Sequence, residues 1–262
     1  MPKIERGVAC PGCPHRAAYI ACKEALGRGR GRVICGDAGC RAVGPMHPAA
    51  TACDGGEHEL LGRYRTPVPE GGTHASPAVD ACVHFVTDEA LDDAQPGDGA
   101  LGDLAAQGRS TVLAVLASSR AHLTRESIEA LGTRALGLGA ADAVIVDPFD
   151  SIRAQAVLRE ALDTPGVRAV IFASPCARLV RDKDACEPVD IDRYACVGCH
   201  RCKQITACPA IRFAPPAYEI DAEACTGCDL CVNFCRTHVI YTPRDRMAPE
   251  ERSALRYAAA RR

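Results

Sequence analysis

The sequence predicts an α/β domain built on a parallel sheet, followed by a smaller α+β module. Short apolar segments alternate with helical patterns over residues 15–174. The strand candidates are continuous apolar runs, which is typical of strands covered on both faces. The composition then changes, and cysteines crowd together. We therefore predict domains at residues 1–186 and 187–243, with a basic tail or helix at residues 244–262.

The predicted elements of the first domain follow in a regular order. A helix over residues 15–27 has apolar residues at helical spacing and ends on Gly27. The predicted strands are RVIC, TVLAVLA, AVIVDP and VRAVIFAS, at residues 32–35, 111–117, 143–148 and 167–174. The other predicted helices lie at residues 77–93, from Thr124 onward, and at 151–162. Residues 44–72 have no periodicity and predict a loop.

The composition restricts the class of protein. The chain has 17 cysteines and a net charge of -2, and it contains no run of 18 apolar residues. Its first residues lack the pattern of a signal peptide, so we expect a cytoplasmic protein with no membrane span. Cytosolic thiols stay reduced, so clustered cysteines indicate metal binding rather than disulfides. The net charge gives no reason to expect a nucleic acid partner.

Two cysteine runs predict two metal clusters. The first run reads C-x2-C-x2-C-x5-C-P and the second reads C-x2-C-x2-C-x3-C. Three thiolates at this short spacing can bind one [4Fe-4S] cluster, and the fourth ligand then comes from the other run, as in two-cluster ferredoxins. The first cysteine set is Cys196, Cys199, Cys202 and Cys235, and the second cysteine set is Cys208, Cys225, Cys228 and Cys231. Zinc is the alternative, although a third closely spaced cysteine is surplus to a tetrahedral site.

Each run departs from the usual pattern at one point. Arg236 follows Cys235 where a proline is common, and the spacing before Cys208 is longer than in the common bacterial run. Extra residues before Cys208 can loop out without removing the ligand.

A third cysteine set is spread over three segments. CPGCPHRA contains Cys10, Cys13 and His15, GDAGC contains Asp37 and Cys40, and SPCARL contains Cys176. Two of these segments follow predicted strands, and sites in parallel sheets gather beyond the carboxyl ends of strands. We define the third cysteine set as Cys10, Cys13, Cys40 and Cys176, the candidate ligands of a third [4Fe-4S] cluster. A zinc site, a redox pair at CPGC and a buried thiol at Cys176 remain open alternatives.

These motifs together resemble a known family. CPGCPHRA, GDAGC, SPCARL and the doubled cysteine run occur in this order in the carboxyl-terminal, thiamine-diphosphate-binding half of the large subunit of indolepyruvate:ferredoxin oxidoreductase. The first three also look like the small subunits of 2-oxoacid:ferredoxin oxidoreductases. The resemblance implies a thiamine-diphosphate-binding-like first domain and a 2[4Fe-4S] ferredoxin-like second domain. It also implies oxidative decarboxylation of a 2-oxoacid in anaerobic metabolism, with electrons passing to ferredoxin.

The same resemblance implies a site for thiamine diphosphate and Mg²⁺. In the family, an Asp in a GDG-type turn and an Asn that ends the following strand hold the metal. Here the candidates are Gly97, Asp98 and Gly99 for the turn and Ser118 for the strand end. A hydroxyl is a poorer ligand for a hard metal than an amide carbonyl, so the site is expected to be degenerate. Thiamine would also need a partner chain to supply the activating glutamate.

Three functions follow as hypotheses. The first is an iron–sulfur protein or subunit that relays electrons to ferredoxin or another redox protein, together with a partner oxidoreductase subunit. The second is a catalytic subunit of a thiamine-dependent 2-oxoacid:ferredoxin oxidoreductase, completed by another chain. The third is a cluster-based sensor or scaffold. The tail, with six arginines, predicts a solvated surface helix that begins at Pro249.

Overall fold

The first part of the chain forms a five-stranded parallel sheet. The computed structural model describes residues 10–27, 32–34, 81–95, 101, 110–180 and 187–261. The strand order in the sheet is β1-β2-β3-β5-β4, and every neighbouring pair is parallel. The strands are β1 (Arg32–Ile34), β2 (Ala81–Thr87), β3 (Ser110–Ala117), β4 (Asp142–Val146) and β5 (Gly166–Ala173). The α/β prediction is confirmed, as are the strands predicted near residues 111, 143 and 167.

Helices cover both faces of this sheet. On one face lie α1 (Pro14–Leu26) and α4 (Ser151–Asp163), and on the other lie α2 (Asp88–Asp93) and α3 (Arg125–Gly137). The central strand β3 is buried along its whole length and sends alternate side chains into the two apolar cores. Strands covered on both faces need apolar side chains at every position, which explains the continuous run TVLAVLA. In the described ranges, no helix is long and apolar enough to cross a membrane.

The helix predicted over residues 77–93 is wrong for its first half. Residues Ala81–Thr87 form β2, which pairs with β3 in register from Ala81 to Thr87. The helix α2 begins only after the strand, and the Thr87 hydroxyl accepts a hydrogen bond from the Ala90 backbone N–H as its cap. The run ACVHFVT is rich in residues that favour strands, and its position between β1 and β3 makes it a strand rather than a helix.

The second part of the chain is a small module of short elements. Two antiparallel strand pairs form its frame, β6 (Asp190–Ile191) with β9 (Ile240–Tyr241) and β7 (Ile211–Ala214) with β8 (Ala217–Ile220). The short helix α5 (Arg201–Thr206) and a 3-10 turn (Val232–Phe234) lie between them. This α+β module matches the predicted ferredoxin-like fold, in which the cysteine loops surround a small apolar core.

The tail forms a helix, as predicted, but the helix is not solvated. In α6 (Pro249–Arg261), Ala259 and Ala260 are buried, and the Arg256 guanidinium lies 4.7 Å from the centre of the Phe149 ring. Arg256 also forms an ion pair with Asp147, where β4 ends. The prediction failed because it counted the arginines of the tail as surface charges, whereas the first domain carries a buried carboxylate that one of them pairs with.

The Arg256–Asp147 ion pair gives a stability prediction. The two side chains are 10% and 14% exposed, so Arg256→Ala would leave a buried carboxylate without its cation. We expect the free energy of unfolding to fall by about 3 kcal/mol. The control is Arg246→Ala, because Arg246 is an exposed arginine of the same tail. Denaturant unfolding of both variants under anaerobic conditions tests this, and equal stability of the two would contradict the docking of α6.

Candidate metal centres

The structure brings the first cysteine set together around one small cavity. Cys196, Cys199, Cys202 and Cys235 all line it, together with apolar side chains such as Ile191 and Val239. The pKa of the Cys202 thiol is raised, first by burial and then by the neighbouring charges of Cys235, Cys196 and Cys199. Residues from both cysteine runs therefore meet here in the predicted pairing, three from the first run and one from the second.

The second cysteine set surrounds a separate and more deeply buried cavity. Cys208, Cys225, Cys228 and Cys231 line it. Burial, with smaller effects from Cys208 and Cys225, raises the pKa of Cys228 to about 12, and burial also raises the pKa of Cys231 well above its usual value. A buried thiol is hard to ionise on its own, because its negative charge is poorly solvated. A bound metal ion supplies the positive charge that stabilises the thiolate.

The two cavities are neighbours. The charge of Cys202, from the first set, contributes to the raised pKa of Cys231, from the second. Both thiols belong to one apolar core with Ile211 and Ile240. One apolar core therefore contains a thiol from each cysteine set, so the two cavities are close together and little water can lie between them.

The two cysteine runs repeat the same backbone geometry. Before each run an aspartate makes a turn, since Cys196 N–H donates to the Asp192 carbonyl and Cys225 N–H donates to the Asp221 carbonyl. Between its first and third cysteines, each run then has two residues at left-handed φ, a glycine and the residue after the second cysteine. These pairs are Gly198 with His200 and Gly227 with Asp229, at φ of 62°, 62°, 61° and 62°. Left-handed positions bend the loop tightly, which turns the successive cysteines of each run toward one cavity.

Hydrogen-bond donors point at several of these sulfurs. Val239 N–H donates to Cys235 Sγ over 3.3 Å, and Gly227 N–H donates to Cys225 Sγ over 3.5 Å. Burial acts to raise the pKa of Cys235, but hydrogen bonds from Val239 and Thr237 outweigh it and lower the pKa. The Thr226 hydroxyl, beside Cys225, is buried with no hydrogen-bond partner among the described residues. An unused donor in the cavity of the second set fits the sulfur atoms of a cluster there.

No group of three His, Cys, Asp or Glu side chains in the described residues is arranged to hold a single metal ion. In a cubane, each of four thiolates binds a different iron atom. Ligands of a cubane therefore need not meet the geometry of a site for one ion.

The loop of Cys10 and Cys13 docks on the second cysteine set. Cys13 lines the same cavity as Cys228, with Pro11 and Gly12 beside it. Gly12 lies at φ +68°, and a Cβ at this position would collide with the Thr226 hydroxyl. Only a glycine permits so close an approach, and it brings the amino-terminal cysteines to the wall of the ferredoxin-like module.

Cys176 reaches the same region from the carboxyl edge of the sheet. Beyond β5, Ser174 N–H donates to the Ala117 carbonyl and Cys176 N–H donates to the Ser118 carbonyl. The Ser118 hydroxyl is 2.6 Å from His15 Nε2, and His15 follows Cys13 by two residues. The loop of Cys10 and Cys13, through His15, and the segment of Cys176 thus both contact Ser118 at the end of β3, and their binding of one cluster stays a prediction. Asp37 and the fourth member, Cys40, lie outside the described residues.

The edge predicted to hold Mg²⁺ is occupied by a polar network. Ser118 N–H and Ser119 N–H both donate to Asp88 Oδ2, at 3.1 and 2.9 Å, and His122 Nδ1 lies 3.1 Å from the same oxygen. Asp88 Oδ1 accepts from Glu89 N–H. Sequence reasoning missed Asp88, although an acidic residue directly after the strand-like run ACVHFVT was a usable signal.

This network does not fit a divalent metal. Both oxygens of Asp88 already accept hydrogen bonds, and the Ser118 hydroxyl is held by His15. A hard cation needs free oxygen ligands, so a metal ion here would have to displace these bonds. Gly97, Asp98 and Gly99, the predicted turn, lie outside the described residues.

His15 is a structural histidine at this edge. It is buried, and burial lowers its pKa to about 4 despite the nearby charge of Asp88. The imidazole is therefore neutral near pH 7, and its bond to Ser118 holds the start of α1 against the end of β3.

Two further cysteines lie in apolar surroundings. Cys22 and Cys82 are fully buried in the first domain, and burial strongly raises the pKa of Cys22. Cys35, Cys53 and Cys186 lie outside the described residues.

The chain is similar to known iron–sulfur proteins. Residues 218–241 match the family described as 4Fe-4S binding domain. The indolepyruvate oxidoreductase subunit IorA of Methanothermobacter marburgensis is 26% identical over 245 residues, which cover 86% of this chain and 38% of the relative. The same subunit of Thermococcus kodakarensis is 25% identical over 234 residues, covering 79% of this chain and 35% of the relative. The chain thus spans less than two fifths of the length of either relative, and its resemblance to this family is confirmed.

The contact between Gly12 and Thr226 gives a second prediction. Gly12→Ala adds a collision to the backbone strain of a positive φ, so we expect it to destabilise the fold and lower the iron content of the purified protein. Gly27→Ala is the control, because Gly27 has φ +64° with open space around it. We expect the control to cost about 2 kcal/mol, because its ψ of -151° places Gly27 in a region almost restricted to glycine, and Gly12→Ala to cost about 2 kcal/mol more.

Anaerobic unfolding and iron analysis of both variants measure these effects. If Gly12→Ala matched Gly27→Ala in stability and iron content, the docking of the loop on the ferredoxin-like module would be wrong.

Proposed function

We propose that this chain is an electron-transfer subunit related to the indolepyruvate and 2-oxoacid:ferredoxin oxidoreductases. It relays electrons through two [4Fe-4S] clusters in its second domain and a third [4Fe-4S] cluster in its first domain. The first and second cysteine sets hold two clusters in a module at residues 187–243. Cys10, Cys13 and Cys176, with Cys40, hold the third cluster in a domain at residues 1–186. Residues 244–262 form the tail whose helix docks on the first domain.

The observation that carries the proposal is that the Cys13 loop and the two cavities of the ferredoxin-like module adjoin one another. Cys13 contributes to the wall of the cavity of the second set, and Cys202 and Cys231 join the second set to the first. Electron transfer requires centres that are close together and shielded from water. A sensor or scaffold with isolated clusters needs no such line of sites.

The chain's own residues prepare these sites. When bound, a [4Fe-4S] cluster accepts and releases single electrons. The thiolates hold it, and the apolar core around Ile211, Tyr218 and Ile240 keeps water away. Backbone N–H groups such as that of Val239 donate to sulfur and stabilise its negative charge. The Ser174 hydroxyl, two residues before Cys176, is buried with no partner among the described residues, and it is a further donor at the third site.

The catalytic alternative has less support. The described residues at the strand edge do not fit a divalent metal, so no step of the proposal uses thiamine diphosphate. The relatives are named as subunits of an indolepyruvate oxidoreductase, and we infer that this chain also works with a partner subunit. That partner or another redox protein delivers the electrons, and ferredoxin or a similar carrier receives them.

The number of clusters is tested by iron analysis of the protein purified without oxygen. We expect about twelve iron atoms and as many sulfides per chain. Cys199→Ser and Cys228→Ser should each lose about four irons, since each removes a ligand from a different cluster. Cys82→Ser is the control, because Cys82 is a buried thiol outside all three sets.

Each outcome has a clear meaning. About eight irons in the unmodified protein would remove the third cluster from the proposal. If Cys82→Ser lost iron while Cys199→Ser and Cys228→Ser kept it, the assignment of the ligands would be wrong. Thiamine diphosphate bound to the purified chain, and lost in Asp98→Ala, would favour the catalytic alternative.

The order of reduction potentials is a further prediction. Reduction adds negative charge, which burial disfavours and hydrogen bonds to sulfur favour. Both sets accept a backbone N–H on sulfur, at Cys235 and at Cys225, so exposure decides the order: Cys199 is exposed, whereas none of the four thiols of the second set is. We expect the cluster of the first set to have the higher potential.

Potentiometric titration followed by electron paramagnetic resonance measures this order. The signal that appears at higher potential should be missing in Cys199→Ser, and the signal at lower potential should be missing in Cys228→Ser. Electrons move toward the cluster of higher potential, so the expected order gives electron flow from the second set to the first. The reverse assignment of the two signals would contradict this direction.

A further inference from the structure

The first cysteine set opens onto an unusual surface. Tyr194 is fully exposed and Val197 is 66% exposed, and they lie on either side of Cys196 in the sequence. Cys199 itself is exposed. We call this surface the Cys199 face, and it consists of Tyr194, Val197, Cys199, His200, Arg201, Phe213 and Arg236. Large apolar side chains left in water beside a redox site are typical of an interaction surface.

Four of these residues line the cavity of the first set, Phe213 contacts one of them, and Tyr194 and Arg201 lie within three residues of them in the sequence. Val197, Cys199, His200 and Arg236 all line that cavity. The ring of His200 lies 5.3 Å from that of exposed Phe213. Gly198, at φ +62°, presses the loop against the Pro216 carbonyl, since a Cβ at this position would lie 2.6 Å from that oxygen. The loop that presents Val197 and Cys199 is therefore held in a fixed position.

In the part of the chain that the structure describes, the second cysteine set has no comparable surface. Its cavity is walled by the loop of Pro11 and Gly12, and α1 packs beside Cys228 and Leu230. Among the described residues, the one exposed thiol of the ferredoxin-like module, Cys199, thus belongs to the first set. An electron that leaves this module has its shortest way out at the Cys199 face.

The charges of this face are positive. Arg201 and Arg236 are exposed, and within the described part of the chain neither forms an ion pair. Of the nearby acidic groups, Glu219 pairs with Arg193, and the Asp192 carboxylate keeps its charge while it accepts hydrogen bonds from the backbone N–H groups of Tyr194 and Ala195. Two free guanidinium groups around an apolar patch complement a partner with carboxylates around its own redox centre.

We propose that the Cys199 face docks a small acidic electron carrier protein, to which the chain delivers its electrons. This inference rests on the proposed function and adds the place and the charge of the partner. In each encounter the chain is oxidised by one electron and the carrier is reduced by that electron, with no atom or proton transferred. The electron originates from a low-potential donor, for which dithionite serves in the experiment.

The experiment measures the rate at which the reduced, cluster-loaded protein transfers electrons to an acidic 2[4Fe-4S] ferredoxin. We expect the double variant Arg201→Glu with Arg236→Glu to lower the second-order rate constant about tenfold at low salt. The difference should shrink as salt rises, because salt screens exposed charges. Iron content and the visible spectrum of the variant should match those of the parent.

A matched control keeps the net charge the same. Arg153→Glu with Arg159→Glu changes two exposed arginines of α4 by the same charge. We expect this control to transfer electrons to ferredoxin at close to the parental rate. An equal loss of rate in both double variants would mean that net charge alone acts, and the docking face would be wrong.

A small uncharged quinone as acceptor separates the two proposals. If the reduced chain cannot pass electrons even to the quinone, the proposed electron relay fails. If the quinone is reduced normally and charge reversal leaves the ferredoxin rate unchanged, the relay stands and the Cys199 face fails. Val197→Ser should also slow electron transfer to ferredoxin. If this variant instead changed the oligomeric state, as measured by sedimentation, the Cys199 face would be a contact between copies of the chain.

Discussion

The close approach of Gly12 to Thr226 is the contact on which the arrangement of the sites depends. It fixes the amino-terminal cysteine loop against the second cysteine run, at a distance that no side chain larger than hydrogen permits. Around it, Ala17 and Ile20 of α1 form an apolar cluster with Phe149, Leu230 and Phe234. The sheet contributes its carboxyl edge and the ferredoxin-like module contributes its most buried wall. Without this contact, the amino-terminal cysteine loop would lose its fixed position against the second cysteine run.

The polar network at the same edge has a different role. In the family that the chain resembles, this edge is where a metal ion is held. Here Asp88 binds two backbone N–H groups of the β3 end and contacts His122, while His15 occupies the hydroxyl of Ser118. A buried polar group is stable only when it has partners, and these residues satisfy one another. The edge that could bind a cofactor therefore serves to hold α1, β2 and β3 together, and with them the cysteines that follow.

Much of this could be predicted from the sequence, for physical reasons. The spacing of Cys196, Cys199 and Cys202 specifies a cluster motif by itself, because ligands so close in sequence cannot be far apart in space. Buried strands such as TVLAVLA are equally visible. The run ACVHFVT was misread because a short apolar run can be either a helix or a strand, and its pairing with β1 and β3 is decided by distant residues. The docking of the tail depends on Asp147 and Phe149, about a hundred residues earlier, and no local pattern reveals such a partner.

His200 and Asp229 share one backbone conformation but serve different ends. Both residues occupy the same left-handed position after the second cysteine of their run. His200 is exposed and contacts the rings of Phe213 and Tyr218, whereas Asp229 is buried and accepts hydrogen bonds from Arg244 and Thr242. The backbone conformation at this position shapes each loop without constraining its side chain. The same loop geometry therefore presents a ring to solvent in one run and an internal ion pair in the other.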